Sequence, residues 1–302
     1  MSVIVVALGG NSLLRDGEGT IEDQRRTIRR TIPHVVDLSD RGHDLVFTHG
    51  NGPQVGQLLL QNEHSSSASV KPLDVLVAES QAQIGYLLQQ ELHNALDDVP
   101  VTTVTQTRVD PDDPAFDDPT KPVGPFYDEN EAAEKDFPTK RVTTGNGAYR
   151  RVVPSPLPLE VVESDRIAEM VAAGHPTICV GGGGIPVVED GGDLRGVEAV
   201  IDKDLATRVL ATNIGADELL LLTDVDAAYR NFGTEGQVRL GKLTPDEATD
   251  LLDAGEFGEG SMAPKVEAGV EFVENGGDRS IITSIEGATE ALTGDAGTII
   301  ER

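Results

Sequence analysis

Short apolar runs and stretches with apolar residues three and four apart take turns along this chain, and the two periods predict strands and helices respectively. Val3–Leu8 is a continuous run of β-type residues and reads as a buried strand. Thr20 to about Ser39 has helical spacing, with Pro33 predicting a kink or an early stop. The run DLVFTH at 44–49 predicts a second strand. Pro53 then suits the first position of a helix with Val55, Leu58 and Leu59 on one face. A long amphipathic helix over about 73–96 and a strand over about 100–106 follow.

From Asp110 to Arg151 prolines, paired acids and the run TGNGAYRR replace the alternation, which predicts an inserted loop or small subdomain. After VVPSPLP the pattern resumes with a helix over about 163–173 and the strand TICV at 177–180. KDLATRVLATNIG reads as a helix and DELLLLT as a strand, and Thr244-Pro245-Asp246-Glu247 is a capping box that starts another helix. A helix near 262–275 and strands at 279–283 and 297–301 complete the chain. Helices and strands alternate in both halves, so the expected fold is α/β with a mainly parallel sheet.

The first two strands each end in a glycine turn, Gly9-Gly10-Asn11 and Gly50-Asn51-Gly52. In a parallel βαβ unit both turns lie at the carboxyl ends of adjacent strands, where open α/β sheets bind ligands. Exposed N–H groups in such turns suit a phosphate or another anion. Ala7 and Leu8 precede the first turn, so a cation for that anion has to come from elsewhere in the chain. GQVRLGKL at 236–243 has P-loop spacing but ends in Leu243, where a Mg²⁺-binding hydroxyl is needed. Gly181–Gly184 lacks the third small residue of a dinucleotide fingerprint, and Pro186 points to a turn into more strand.

Three lysines stand in unusual places: Lys203 in VIDKDLA, Lys265 in GSMAPKVEA behind Pro264, and Lys121 between Pro119 and Pro122. Phosphoryl transfer needs distributed positive charge and fixed N–H donors more than it needs a base. Asp202 and Asp204 read either as helix caps or, for Asp204, as the acid that holds a lysine in place. His49 reads as a packing or turn residue, with general base as the alternative.

Charge changes the picture. Across 302 residues, 52 Asp and Glu face 24 Lys and Arg, for a formal −28, and seven of those 24 are lysine. The acids are spread over the whole length, as in DDPAFDD and DENEAAEKD. An evenly acidic, lysine-poor surface suits molar salt, so a halophilic source is expected, and nucleic acids and anionic membranes are poor partners. Apolar runs all fall short of the ~20 residues that span a bilayer. The first ten residues lack a basic region, and Cys179, the only cysteine, lies in an apolar run. A cytoplasmic protein is the expectation.

With these residues assembled, the stretches ALGGN, THGNGPQVG, DPTKPVGPFY, RRVVPSP, GGGGIPVV, GVEAVIDKD, TDVDAAYRNFG and GSMAPKVEA, in this order from residue 3 to residue 300, resemble the carbamate kinases of the amino-acid kinase superfamily. The resemblance implies a three-layer α/β/α sandwich forming one domain over 1–302. Its N-lobe would cover about 1–160 and its C-lobe about 161–302, with 110–151 as a small protruding subdomain. Acetylglutamate and uridylate kinases share that fold and usually carry a first-strand lysine where this chain has Ala7. Carbamate kinases lack that lysine, and their DKD lysine, here Lys203, reaches the transferring phosphate instead. By the same resemblance Lys265 contacts nucleotide phosphates, Asp204 orients the lysines, and Lys121 sits on the subdomain that closes over the substrate. Gly9, Gly10, Asn11, Gly50, Asn51 and Gly52 would line the carbamoyl-phosphate side, and Gly182, Gly183, Asp224 and Tyr229 the nucleotide side. The implied activity is reversible transfer between carbamoyl phosphate with ADP and carbamate with ATP, ATP-forming in fermentative arginine breakdown. A homodimer using Mg²⁺ is implied, although no spacing singles out a Mg²⁺ ligand. The rivals are another small-acid kinase on this fold and a non-catalytic nucleotide sensor.

The charge predicts that folding and activity need roughly molar salt. Raising salt from about 0.1 M to about 1 M shortens the Debye length from about 10 Å to about 3 Å and removes most long-range self-repulsion. Circular dichroism and activity followed across that range check this. A cooperative melt with full activity at the low end would count against it.

Overall fold

The computed structural model describes residues 2–10, 13, 20–65, 69–142, 148–258 and 262–302. The chain opens with β1 (Val3–Leu8), crosses through α1 (Ile21–Asp40) and returns as β2 (Asp44–His49), parallel to β1 with Val3 opposite Asp44 and Leu8 opposite His49. Thr20 and Asp23 form a capping box that starts α1. Pro33 neither stops nor shortens that helix: it sits on the exposed face, where water can meet the carbonyl it leaves unpaired. Buried Ile28, Ile32, Val35 and Leu38 hold the helix to the sheet on either side of it.

Next come α2 (Gly52–His64) and α3 (Leu73–His93). The strand expected over about 100–106 is two strands: β3 (Val101–Thr102) adds to the edge of the main sheet, and β4 (Gln106–Val109) joins another. Within the stretch whose texture changed lie β5 (Lys121–Tyr127), the short α4 (Glu129–Ala133), β6 (Thr139–Arg141) and β7 (Tyr149–Val153), ordered β5-β7-β6 in an antiparallel sheet of their own. Then follow β8 (Pro158–Val161), α5 (Ser164–Ala172), β9 (Thr177–Ile178), β10 (Ile185–Asp190) and β11 (Asp193–Gly196), with a second sheet ordered β11-β10-β4-β8.

The last third holds α6 (Lys203–Asn213), β12 (Glu218–Thr223) and the small hairpin of β13 (Tyr229–Arg230) and β14 (Val238–Arg239). After it come β15 (Lys242–Leu243), α7 (Pro245–Asp253), α8 (Ala263–Glu274), β16 (Arg279–Ser284), α9 (Ala288–Leu292) and β17 (Thr298–Glu301). Residues 236–243 therefore run through β14 and β15, and the capping box of Thr244 and Glu247 opens α7 as expected.

The main sheet is ordered β15-β17-β16-β12-β1-β2-β9-β3, and its neighbours are parallel except β16 with β17. Alternate residues of its central strands enter two separate cores, as the strand period requires. Val5 and Ala7 join Leu219 and Leu221 in a core shared with Ile167, Leu205 and Val266 of α5, α6 and α8. Ile4, Val6 and Leu8 join Leu220 and Leu222 in a core shared with Ile28, Ile84 and Ala291 of α1, α3 and α9. This is the three-layer α/β/α sandwich, with β1 buried on both faces. Among the described residues no helix is long and apolar enough to cross a membrane.

Candidate active site

Because β12, β1, β2 and β9 are adjacent and parallel, the segments that leave their carboxyl ends gather along one edge of the sheet. Gly9 lies against β12, where an added Cβ would stand 2.9 Å from the Leu222 carbonyl oxygen. Gly10 faces open space, and Asn11 lies outside the described residues. The second turn is tied to the first strand by the Gly50 N–H, which donates to the Leu8 carbonyl at 3.3 Å. Gly52 begins α2, whose first turn carries no side-chain cap, because Asn51 turns its amide to the Ser80 hydroxyl at 2.9 Å.

Gly181–Gly184 packs onto this second turn. A Cβ on Gly182, at φ +64°, would fall 2.1 Å from Asn51 Nδ2, and one on Gly183 would fall 2.5 Å from the Ile201 carbonyl oxygen. Glycine is required here by close approach and by left-handed backbone alike. His49 is buried beside Gly181, and its Nδ1 lies 2.9 Å from the Gly50 carbonyl. Burial, aided by the Lys203 charge and opposed by the bond to Gly50, lowers the His49 pKa from 6.5 to about 4. The ring is neutral at pH 7.

The three lysines converge from distant parts of the chain on the start of α6. Asp202 is the N-cap of that helix and accepts from the Asp204 N–H at 2.9 Å. Asp204, buried, accepts from Lys203 Nζ at 2.5 Å on one oxygen and from Lys265 Nζ at 2.9 Å on the other. Lys121 Nζ, arriving from β5, donates to Asp202 Oδ2 at 3.0 Å. Lys203 leans over the second glycine turn, where a Cβ on Gly50 would sit 3.6 Å from its Cδ. Thr207 fixes its backbone by donating to the Lys203 carbonyl at 2.6 Å, and Thr207 Oγ1 is 2.7 Å from Thr48 Oγ1 of β2.

Burial works to raise the Asp204 carboxyl, but the Lys203 and Lys265 charges overcome it and hold it below the usual carboxylate range. Burial lowers the Lys203 ammonium against the pull of Asp204, and the Lys265 charge adds to the lowering. The arrangement is thus one ionised acid serving two ammonium groups. Asp202 caps the helix and pairs with Lys121, while Asp204 holds Lys203 and Lys265.

Where β12 ends, a cavity of about 230 Å³ is lined by Thr223, Asp224, Val225, Tyr229, Phe232, Glu256, Phe257, Gly258 and Met262, whose carbonyl accepts from the Lys265 N–H at 3.0 Å. Tyr229 donates to Asp226 at 2.6 Å and packs on Phe232 with ring centroids 5.9 Å apart. Asp224 and Tyr229 therefore meet in one pocket, whereas Gly182 and Gly183 lie with Asn51 and Ile201. Phe232, Phe257 and Met262 were not singled out from the sequence. The available signal was that two of only seven phenylalanines stand beside glycines in otherwise polar runs, NFG and GEFGEG.

The chain also has known counterparts. The model of the amino acid kinase family matches residues 2–284. A carbamate kinase of Halobacterium salinarum is 68% identical over 99% of this chain and 98% of that protein. A carbamate kinase of Thermococcus kodakarensis is 48% identical over the full length of both. The structure of a carbamate kinase from Giardia lamblia bound to AMP-PNP superposes with a TM-score of 0.92 at 41% identity, covering 99% of this chain and 98% of that one.

The buried imidazole predicts a pH dependence. Its folded pKa, about 4, lies below the ordinary 6.5, so between those values the unfolded chain binds the extra proton. The stability that neutral His49 permits is whole above about pH 6.5 and falls by up to about 1.4 kcal/mol per pH unit on acidification, about 3 kcal/mol in all. In denaturant titrations at fixed molar salt, His49→Gln should show a shallower loss than the parent from pH 6.5 toward 4.5. Equal slopes would show that His49 does not stay neutral in the native state.

Proposed function

Since this chain belongs to the amino acid kinase family, we propose that it is a carbamate kinase, an ATP:carbamate phosphotransferase. The observation that carries the reading is the Asp204 carboxylate shared by Lys203 and Lys265, set between two glycine turns and an aromatic pocket. Carbamoyl phosphate occupies the turns at Gly9-Gly10 and Gly50-Asn51, and the nucleotide base occupies the pocket of Tyr229, Phe232 and Phe257. A β-phosphate oxygen of ADP forms the new P–O bond while the bond to the carbamoyl oxygen breaks, and carbamate leaves with the electron pair. Lys203, leaning over Gly50, and Lys265, beside the pocket, neutralise charge on the transferring phosphoryl from its two sides. No general base is needed, in keeping with a buried, neutral His49.

Both oxygens of Asp204 are held by lysines, and Asp202 is held by an N–H and a lysine. This donor set fits a Mg²⁺ carried by the nucleotide phosphates and water, with Asp224 and Glu256 as the acids lining the pocket. That ion would supply charge neutralisation on the phosphates. The reaction runs toward ATP, because a mixed anhydride of carbamic and phosphoric acids is the stronger phosphoryl donor, and it serves arginine breakdown in the cytoplasm of a halophile. The antiparallel sheet of β5, β6 and β7 is a subdomain that closes over carbamoyl phosphate. A homodimer is supported by an apolar groove of about 490 Å³ beside the edge strand β3, where Tyr86, Val99 and Val104 are exposed.

ATP formation from ADP and a panel of acyl phosphates, with Mg²⁺ in molar KCl, tests the activity. Carbamoyl phosphate should be the best donor and acetyl phosphate a poorer one. An inert carbamoyl phosphate would sink the reading. Lys203→Met should lower kcat on the order of 10²–10³-fold, the loss typical of one preorganised donor, with the melting temperature nearly unchanged because Lys265 still compensates Asp204. Sedimentation equilibrium in the same salt should return twice the chain mass of 32.0 kDa, and a monomer would exclude the dimer.

A further inference from the structure

We propose that Asp202 is a positioning residue that sets Lys121 in the site, one carboxylate oxygen capping the helix that carries Lys203 and Asp204 and the other holding the Lys121 ammonium. The inference rests on the carbamate kinase reading and goes beyond it to how the subdomain lysine is aimed.

Lys121 differs from the other two lysines in its surroundings. Its side chain is 37% exposed, against 14% for Lys203 and 10% for Lys265, so packing alone does not order its long, flexible stem. It opens β5, which pairs with β7 and has no strand partner in the main sheet. The other end of β5 is fastened separately: Tyr127 donates to Glu63 of α2, and Lys135 Nζ reaches the second oxygen of Glu63 at 2.9 Å. At the Lys121 end, the ion pair to Asp202 joins this small sheet directly to the start of α6.

Capping does not by itself account for an acid at this position. Asparagine caps a helix as well as aspartate does. Asp202 also faces Glu267 of α8, whose carboxyl is pushed up by burial first, then by Glu271 and by Asp202. An asparagine would cap α6 without repelling Glu267. What it would lose is the charge that holds Lys121. An ammonium has three donors, so a lysine that gives one to Asp202 keeps two for substrate oxygens. The carboxylate thus anchors the lysine without consuming it, and ties its place to that of Lys203 on the adjoining residue.

The test is a double-mutant cycle on the full chain, measuring kcat and both KM values in the parent, Asp202→Asn, Lys121→Met and the double variant. Asp202→Asn keeps the cap, so the melting temperature, kcat and the KM for ADP should stay close to the parent. The KM for carbamoyl phosphate should rise about tenfold. In the Lys121→Met background the same substitution should add less than a twofold change. Asp202→Ser, which also caps, repeats the test if the asparagine variant is unstable. Multiplicative effects of the two substitutions would overturn the proposal, as would a fall in kcat and ADP affinity with the KM for carbamoyl phosphate unchanged. A lower KM would overturn it too, by making Asp202 a competitor for Lys121. The cycle is read on whichever acyl phosphate the parent turns over. An inert carbamoyl phosphate therefore counts against the functional reading, and the Asp202–Lys121 coupling is judged on the other donor.

Discussion

One carboxylate compensates two buried ammonium groups, and the site is organised around that constraint. Without Asp204, Lys203 and Lys265 would repel each other in a low-dielectric interior, and burial would favour the neutral form of Lys203. With it, each ammonium has a partner within 2.9 Å, and the carboxyl is held ionised. The separation of the two cations is set by how α6 packs on α8, because Lys203 begins one helix and Lys265 lies in the first turn of the other. Leu205 and Val209 of α6 share a core with Val266 and Val270 of α8, so apolar packing below fixes charge geometry above.

The same core explains why the first strand carries no cation. Ala7 is fully buried beneath α6, among Val5, Leu205 and Ala206. A lysine there would point into packed side chains, whereas Lys203 lies over the second glycine turn from the helix above. The end of β1 is left to contribute backbone alone, and Gly9 lets that backbone lie against β12.

Charge is divided between surface and site in opposite senses. A formal −28 spread over the chain surrounds a small group of buried or half-buried lysines. Salt screens exposed charges within a few ångströms at molar strength but screens buried pairs far less. Molar salt therefore relieves the repulsion that anionic substrates meet on approach and leaves the attraction inside the site largely intact.

Periodicity and local chemistry determined the order of most main-sheet strands and of the longer helices beside them, the capping box of Thr244 that starts a helix, the two glycine turns and the three lysines worth placing. These are properties of residues within a few positions of one another, so sequence alone carries them. Pro33 does not stop the helix, because its cost depends on whether the carbonyl it frees faces water, and the helix's orientation on the sheet decides that. The stretch over 100–106 misled because one extended run serves two sheets, a matter of which partners are present. The pairing of Asp204 with Lys265 spans 61 positions and that of Asp202 with Lys121 spans 81, beyond the reach of any local pattern. Nor does spacing bring Phe232 to Phe257 and Met262, or separate Gly182 from Asp224. Only the packing of the helices on a doubly buried sheet decided those contacts, since an ion pair or a pocket forms between whatever residues the core holds within reach.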